Sequence, residues 1–217
     1  MFRRVFVDML VAKDVVDSMS AMIDTVLENE NFFCELDSAA GDGDFGTSLA
    51  RGFRGLRSNW ESLSKEDIGV FMMECSAIIM DRCGGASGPL WGTAFRQAGR
   101  YSKGKERMDL MELSEFFQAM VNGVQKVGGA KRGDKTLLDA LIPATESLQK
   151  SASKQEDMLL AFKKSVAAAE NGAESTRGIA ATKGRASYLG DRSVGHYDAG
   201  AKAVAVILTD VFNKCFK

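Results

Sequence analysis

The 217-residue chain is short of the residues that most metal and redox chemistry uses. It has one histidine, His196, so a multi-histidine metal site is excluded. Its four cysteines, Cys34, Cys75, Cys83 and Cys215, form no C-x-x-C pair and no regular spacing. That pattern reads as reduced thiols, mostly core, in a cytoplasmic protein. Prolines number two, Pro89 and Pro143, which leaves the chain free to be largely helical. There is no excess of positive charge, with 28 basic against 29 acidic residues, and this argues against a nucleic-acid binder. No apolar run is long enough to cross a membrane. The opening stretch MFRRVFVDMLVAKD is broken by Asp8, and is too short and too charged for a signal peptide. What is present is a 45% hydrophobic chain with no linker that divides it, read as a single domain over 1–217.

Apolar spacing is helical almost throughout. Met19, Met22, Ile23, Val26 and Leu27 share one face, and Leu49, Phe53, Leu56 and Trp60 recur on another. Ser64 and Asp67 read as a capping box before Ile68, Phe71, Met72, Cys75 and Ile79. Pro89 suits a first helical turn after Ser87 and Gly88, and Ser114 reads as a cap for a helix through Phe117, Met120 and Val124. Helical patterns at 137–148 and 158–169, and a last one from Val204 to Cys215, bring the count to about eight, with no convincing strand. The expected fold class is all-α.

Four joints between these helices are rich in glycine and polar residues: 37–48, 84–93, 128–136 and 175–200. In LDSAAGDGDFG, the glycines 41, 43 and 46 spell G-x-G-x-x-G, yet Asp42 and Asp44 would repel a pyrophosphate. Three carboxylates, Asp37, Asp42 and Asp44, can converge in such a turn, and they need a cation to stay ionised together. Mg²⁺ is the natural ion, since it prefers oxygen ligands and shares its shell with phosphates. Solvated turn aspartates remain an alternative on these residues alone. GGASGPLWGT runs small residues into a helix start, which suits an anion or a tight turn. GGAKRGDKT nearly matches a Walker A loop, but Asp134 separates Gly133 from Lys135 and no strand precedes it, so that reading fails. Asp134 and Lys135 read instead as an ion pair or an interface. The 175–200 stretch, with Arg185 and other basic residues among glycines, suits a flap over an anionic ligand or a solvated loop. His196 within it reads more readily as structural than catalytic.

Taken together and in order, LDSAAGDGDFG, GGASGPLWGT, GDKTLLDALIPA and TKGRASYLGDRSVGHYDAG resemble the nucleotide-binding, L-type subunit of dihydroxyacetone kinases. The resemblance spans essentially the whole chain. It implies a barrel of about eight antiparallel helices with a nucleotide and Mg²⁺ pocket formed by interhelical loops at one end. It implies two Mg²⁺ ions on Asp37, Asp42 and Asp44, with ADP or ATP as the nucleotide. Gly46, Thr47, Ser48, Ala86 and Ser87 would border the phosphates, Gly128 and Leu137 the base, and Arg185, Asp198 and Gly200 the closing flap. The implied partner is a K-type subunit that holds dihydroxyacetone or a related small ketose such as erythrulose. A phosphocarrier protein (an M-type subunit) is a further implied partner, in a homodimer or heteromeric complex. The catalytic set would be the three aspartates and Arg185, acting as a phosphotransferase. Two positions depart from the family pattern. Phe45 stands where phosphocarrier-coupled members usually have histidine, and Ala199 where the last motif usually has proline. A stand-alone L chain favours a resident ADP recharged by a phosphocarrier, whereas Phe45 and Thr47 favour exchanging ATP. A regulatory module that senses nucleotide and docks on a transcription factor is the rival class, and a plain helical scaffold the third.

Overall fold

The computed structural model describes residues 9–216; the stretch 1–8, with Asp8, and residue 217 lie outside the described residues. A two-residue strand β1 (Leu10–Val11) leads into α1 (Ala12–Glu28), and α2 (Glu30–Ser38) follows after Asn29 alone. Then come α3 (Phe45–Ser58), α4 (Ile68–Arg82), α5 (Ser87–Tyr101), strand β2 (Arg107–Met108), α6 (Leu110–Gly128), α7 (Leu138–Ser153), α8 (Met158–Ser175) and α9 (Ala199–Val211). A π-helical turn, Phe212–Phe216, extends α9. With α1 and α2 taken as one broken helix, the expected eight are present. The strands are the exception to the expected all-helical pattern: Leu10 pairs with Met108 and Val11 with Arg107, antiparallel.

Each helix from α3 to α9 packs on its chain neighbours, and α9 returns to α1, so the contacts close into a ring. Apolar faces point inward. Phe33, Phe53, Phe71 and Phe95 are fully enclosed, and Phe53 meets Trp91 and Phe95 edge-on at 6.4 Å. Inside the ring lies a cavity of about 130 Å³ with an apolar lining that includes Met19, Phe95, Phe117 and Ile207. It offers almost nothing to hold a phosphate.

Local capping differs from the expected pattern at two helices. Asp67 alone caps α4, accepting from the Val70 N–H at 2.9 Å, while Ser64 binds Glu74 through its N–H and hydroxyl. Helix α6 starts at Leu110, earlier than Ser114, because Asp109 and Glu112 form a reciprocal capping box. Ser114 is then interior, and its hydroxyl donates to the Met111 carbonyl. Pro143 sits inside α7 without breaking it. Proline has no N–H, so it leaves the carbonyl of Asp139 without its helical donor. Helix α8 approaches that carbonyl through Gly172, where a Cβ would lie 2.1 Å from the oxygen.

That contact gives a stability test. Gly172→Ala should destabilise the fold by about 1–3 kcal/mol through overpacking. Gly178→Ala, where a Cβ meets nothing within 4 Å, should stay close to neutral. Urea unfolding of the two variants side by side checks this, and equal midpoints would refute the close α7–α8 contact.

Candidate functional site

The joint between α2 and α3 carries the acidic cluster. Asp37 lies in the last turn of α2, and its Oδ2 accepts the Gly43 N–H at 2.9 Å, folding the turn back over the helix end. Gly43 takes φ +76°, a left-handed turn that L side chains resist. Asp44 precedes α3 but makes no side-chain cap, so its carboxylate stays available. One carboxylate oxygen from each of Asp37, Asp42 and Asp44 lies within 4.8 Å of the others. Three hard oxygen donors this close suit a small divalent cation such as Mg²⁺. Arg185 reaches across from the 175–200 segment: its Nη1 pairs with Asp42 and lies 3.2 Å from Asp44 Oδ1. The 175–200 segment thus brings positive charge to the only place where three carboxylates crowd among the described residues.

Beside the cluster is a cleft of about 210 Å³. Its walls come from the starts of four helices: Asp44 and Phe45 at α3, Ala86 and Ser87 at α5, Thr136 and Leu137 at α7, Asp198 and Gly200 at α9. Helix N-termini carry unpaired N–H groups and a partial positive charge, which favours anions. The first turns of α3 and α5 have no side-chain cap, so their N–H groups are not taken by their own side chains. Trp91 and Leu137 line both this cleft and the apolar cavity, and so form the wall between them.

The structure therefore gathers most of the candidate residues. Asp37, Asp44, Ser48, Ala86, Ser87, Leu137, Arg185, Asp198 and Gly200 line the cleft, and Asp42 joins through the cluster. Three others sit elsewhere. Gly46 faces α2, where a Cβ would lie 2.0 Å from the Glu30 carbonyl, so this glycine permits helix contact. Thr47 is exposed, with its hydroxyl 3.5 Å from Cys34 Sγ. Gly128 is exposed at the end of α6, against Leu90, which does line the cleft. Phe45 turns toward Phe33, with ring centroids 6.1 Å apart.

Residues 134 and 135 are not the ion pair the sequence suggested. Asp134 accepts the Lys131 N–H at 2.8 Å and the Thr182 hydroxyl at 2.8 Å. Lys135, buried, donates instead to main-chain carbonyls of the 175–200 segment. Spacing alone did not reveal this, because its partners are backbone atoms more than forty positions away.

Asp198 caps α9, accepting the Ala201 N–H at 2.7 Å. Its carboxyl end is enclosed although the residue is partly exposed. Burial pushes its pKa up to about 7; the charges of Asp139 and Asp37 add to the rise, and the Ala201 N–H and Lys135 oppose it.

Comparison with known proteins identifies relatives of the whole chain. Residues 39–213 match the family model described as the DAK2 domain. The chain is 34% identical over 194 residues to the PEP-dependent dihydroxyacetone kinase, ADP-binding subunit DhaL, of Escherichia coli, covering 89% of this chain and 92% of that protein. It is 35% identical to the triokinase/FMN cyclase of Bos taurus over 91% of this chain, which is 34% of that longer protein. In solved structures, the dihydroxyacetone kinase of C. freundii superposes with a TM-score of 0.74 at 23% identity, over 98% of this chain and 36% of that one. That likeness shows a shared fold.

The Asp198 environment yields a pH test on the metal-free protein. An unfolded aspartate titrates near pH 4. Between about pH 4 and pH 7 the folded chain therefore holds one proton more than the unfolded chain, and Asp198 makes folding less favourable as pH rises. The upper limit is about 1.4 kcal/mol per pH unit. Asn keeps the helix cap without the titration. The stability of Asp198→Asn relative to the parent should thus grow from pH 4 to 7 and level off above it, read by urea unfolding. A difference independent of pH would remove the raised pKa.

Proposed function

The chain belongs to the DAK2 domain family, and from that premise we propose that it is the nucleotide-binding subunit of a dihydroxyacetone kinase, a phosphotransferase acting on an alcohol group. Its task is to present a phosphoryl group on an Mg²⁺-bound nucleotide to dihydroxyacetone, or a related small ketose, held by a separate K-type subunit. The observation that carries this reading is the carboxylate cluster beside a cleft walled by four helix N-termini.

The residues have distinct tasks in it. Asp37, Asp42 and Asp44 hold two Mg²⁺ ions. The uncapped starts of α3 and α5, with Ser48 and Ser87, receive phosphate oxygens through N–H and hydroxyl donors. Leu137 offers an apolar surface for the base, and Gly200 packs beside it, where a Cβ would lie 3.1 Å from Leu137 Cβ. Arg185 brings a guanidinium to the rim, where it can pair with phosphate oxygens. When bound, the metal neutralises phosphate charge, and transfer then depends chiefly on alignment. No residue of this chain is needed as a base toward the ketose, which agrees with a single histidine in an exposed position.

For the donor, the reading is a resident ADP recharged in place by a phosphocarrier protein. It is supported by relatives named ADP-binding subunits of PEP-dependent kinases, aligned over 84–94% of this chain.

The purified protein tests both levels. Denaturation should release about one equivalent of ADP together with Mg²⁺, identified by mass and metal analysis. Asp42→Asn and Asp44→Asn should each lower retention at least about tenfold, because a lost carboxylate leaves the metal under-coordinated. A vacant site that fills reversibly with Mg·ATP would replace the resident-ADP donor by exchanging ATP. Failure to bind either nucleotide would overturn the kinase-subunit reading.

A further inference from the structure

Lys135 is the most deeply buried cation among the described residues, at 1% exposure. Its backbone takes φ +62°, in the left-handed region where a residue with a Cβ is strained by about 1 kcal/mol or more. A buried ammonium is costly unless its donors are satisfied. Among the described residues no carboxylate lies within ion-pair distance of it; its partners are four main-chain carbonyls. Nζ lies within hydrogen-bond distance of the carbonyls of Thr176 at 2.8 Å, Ile179 at 3.1 Å, Ser193 at 2.6 Å and His196 at 2.7 Å, its three N–H donors shared among the four.

The position of those carbonyls is the informative part. All four belong to the segment between α8 and α9. Two lie on its outgoing leg and two on its returning leg. The two legs also touch directly, as the Ala181 N–H donates to Ser193 Oγ at 2.9 Å and the Gly195 N–H to the Arg177 carbonyl at 2.8 Å. Between the legs is the short helical stretch Arg185–Ser193, whose first residue reaches Asp42 and Asp44. Asp134, the preceding residue, ties the outgoing leg again through Thr182. His196, the lone histidine, takes part through its carbonyl.

We propose that Lys135 is a positioning residue whose ammonium clamps both legs of the 176–196 flap through their backbone carbonyls, and thereby sets Arg185 over the acidic cluster. The functional half of this inference rests on the nucleotide-site reading; the clamp does not. It has a chemical signature. Truncation to alanine leaves a pocket lined by carbonyl oxygens and sized for an ammonium head. Ammonium ion can occupy such a pocket, whereas tetramethylammonium is too large and has no N–H to donate. Methionine fills the space of the lysine stem and supplies no charge, so Lys135→Met cannot be rescued in this way.

The clamp is read without any nucleotide by limited trypsin digestion, since Lys183, Arg185 and Arg192 all lie in the flap. Lys135→Met and Lys135→Ala, with helical content checked by circular dichroism, should be cut in the flap at least about tenfold faster than the parent, given the strength of charged hydrogen bonds. Ammonium chloride should slow cutting of Lys135→Ala, with no effect from tetramethylammonium chloride at equal ionic strength and none on Lys135→Met. Folded variants cut at the parental rate would overturn the clamp. Where Lys135→Met does not fold, Lys135→Ala purified in ammonium chloride and exchanged into sodium chloride decides the matter: faster flap cutting after exchange supports the clamp, and unchanged cutting overturns it. The link to Arg185 is read by Mg·ADP affinity. Lys135→Met and Arg185→Ala should each weaken binding, and the double variant should be no weaker than the worse single one. Additive losses would overturn action through Arg185. If the parent binds no Mg·ADP, the nucleotide reading fails while the digestion result still decides the clamp.

Discussion

The site depends on one geometric constraint: in a ring of helices joined by short connections, chain direction alternates, so every second helix begins at the same end. Helices α3, α5, α7 and α9 all start at the cleft. Their first turns gather unpaired N–H groups and positive dipole ends in one place. Because direction alternates, the C-terminal ends of the intervening helices, such as α2 with Asp37 in its last turn, lie there too, so anions are favoured only locally, at the individual N-termini. Asp42 and Asp44 lie just before the start of α3, where the dipole favours a carboxylate, whereas Asp37 sits in the last turn of α2, where it does not. The same arrangement that tolerates three aspartates would also tolerate a polyphosphate, and a divalent cation lets the two coexist.

Charge is then apportioned by depth. The exposed members, Asp42 and Asp44, pair with Arg185, whose side chain is half-exposed on the connection between α8 and α9. Exchange of partners there is inexpensive, since exposed ion pairs are worth about 1 kcal/mol or less. The enclosed members are treated differently. Asp139 is buried and accepts the N–H of Thr136 at 2.8 Å, which fixes the turn into α7. Lys135 is satisfied by carbonyls, and Asp198 is biased toward its neutral form by burial. Exchangeable charge thus lies at the rim, and fixed charge lies in the frame that carries the rim.

How much of this the sequence disclosed follows from the range of the interactions involved. Helices were legible from apolar spacing, and the acidic turn from three aspartates within eight positions, because both are local patterns. The glycine-rich joints marked the correct loops. The individual roles inside them were less legible. Gly46 stands in a motif that suggests phosphate, yet its missing side chain serves the approach of α2, a contact only packing reveals. Ser64 and Ser114 are good capping residues, yet Asp67 and Asp109 hold the caps; Asp and Ser rank about equally as N-caps, so residue type alone does not decide between them. Lys135 was visible as a cation in a loop, but its partners are carbonyls, which every residue possesses and no pattern distinguishes.

Those carbonyls also govern how the flap holds its shape. The segment between α8 and α9 has no long helix or sheet ladder to satisfy its backbone; short 3₁₀ turns over Thr176–Gly178 and Arg185–Ser193 leave carbonyls unpaired. A buried carbonyl needs a donor. One ammonium answers several at once because it carries three donors and a charge. A loop held in this way has a defined closed form without a hydrophobic core of its own. Tyr188, in the same short helical stretch as Arg185, stays 87% exposed.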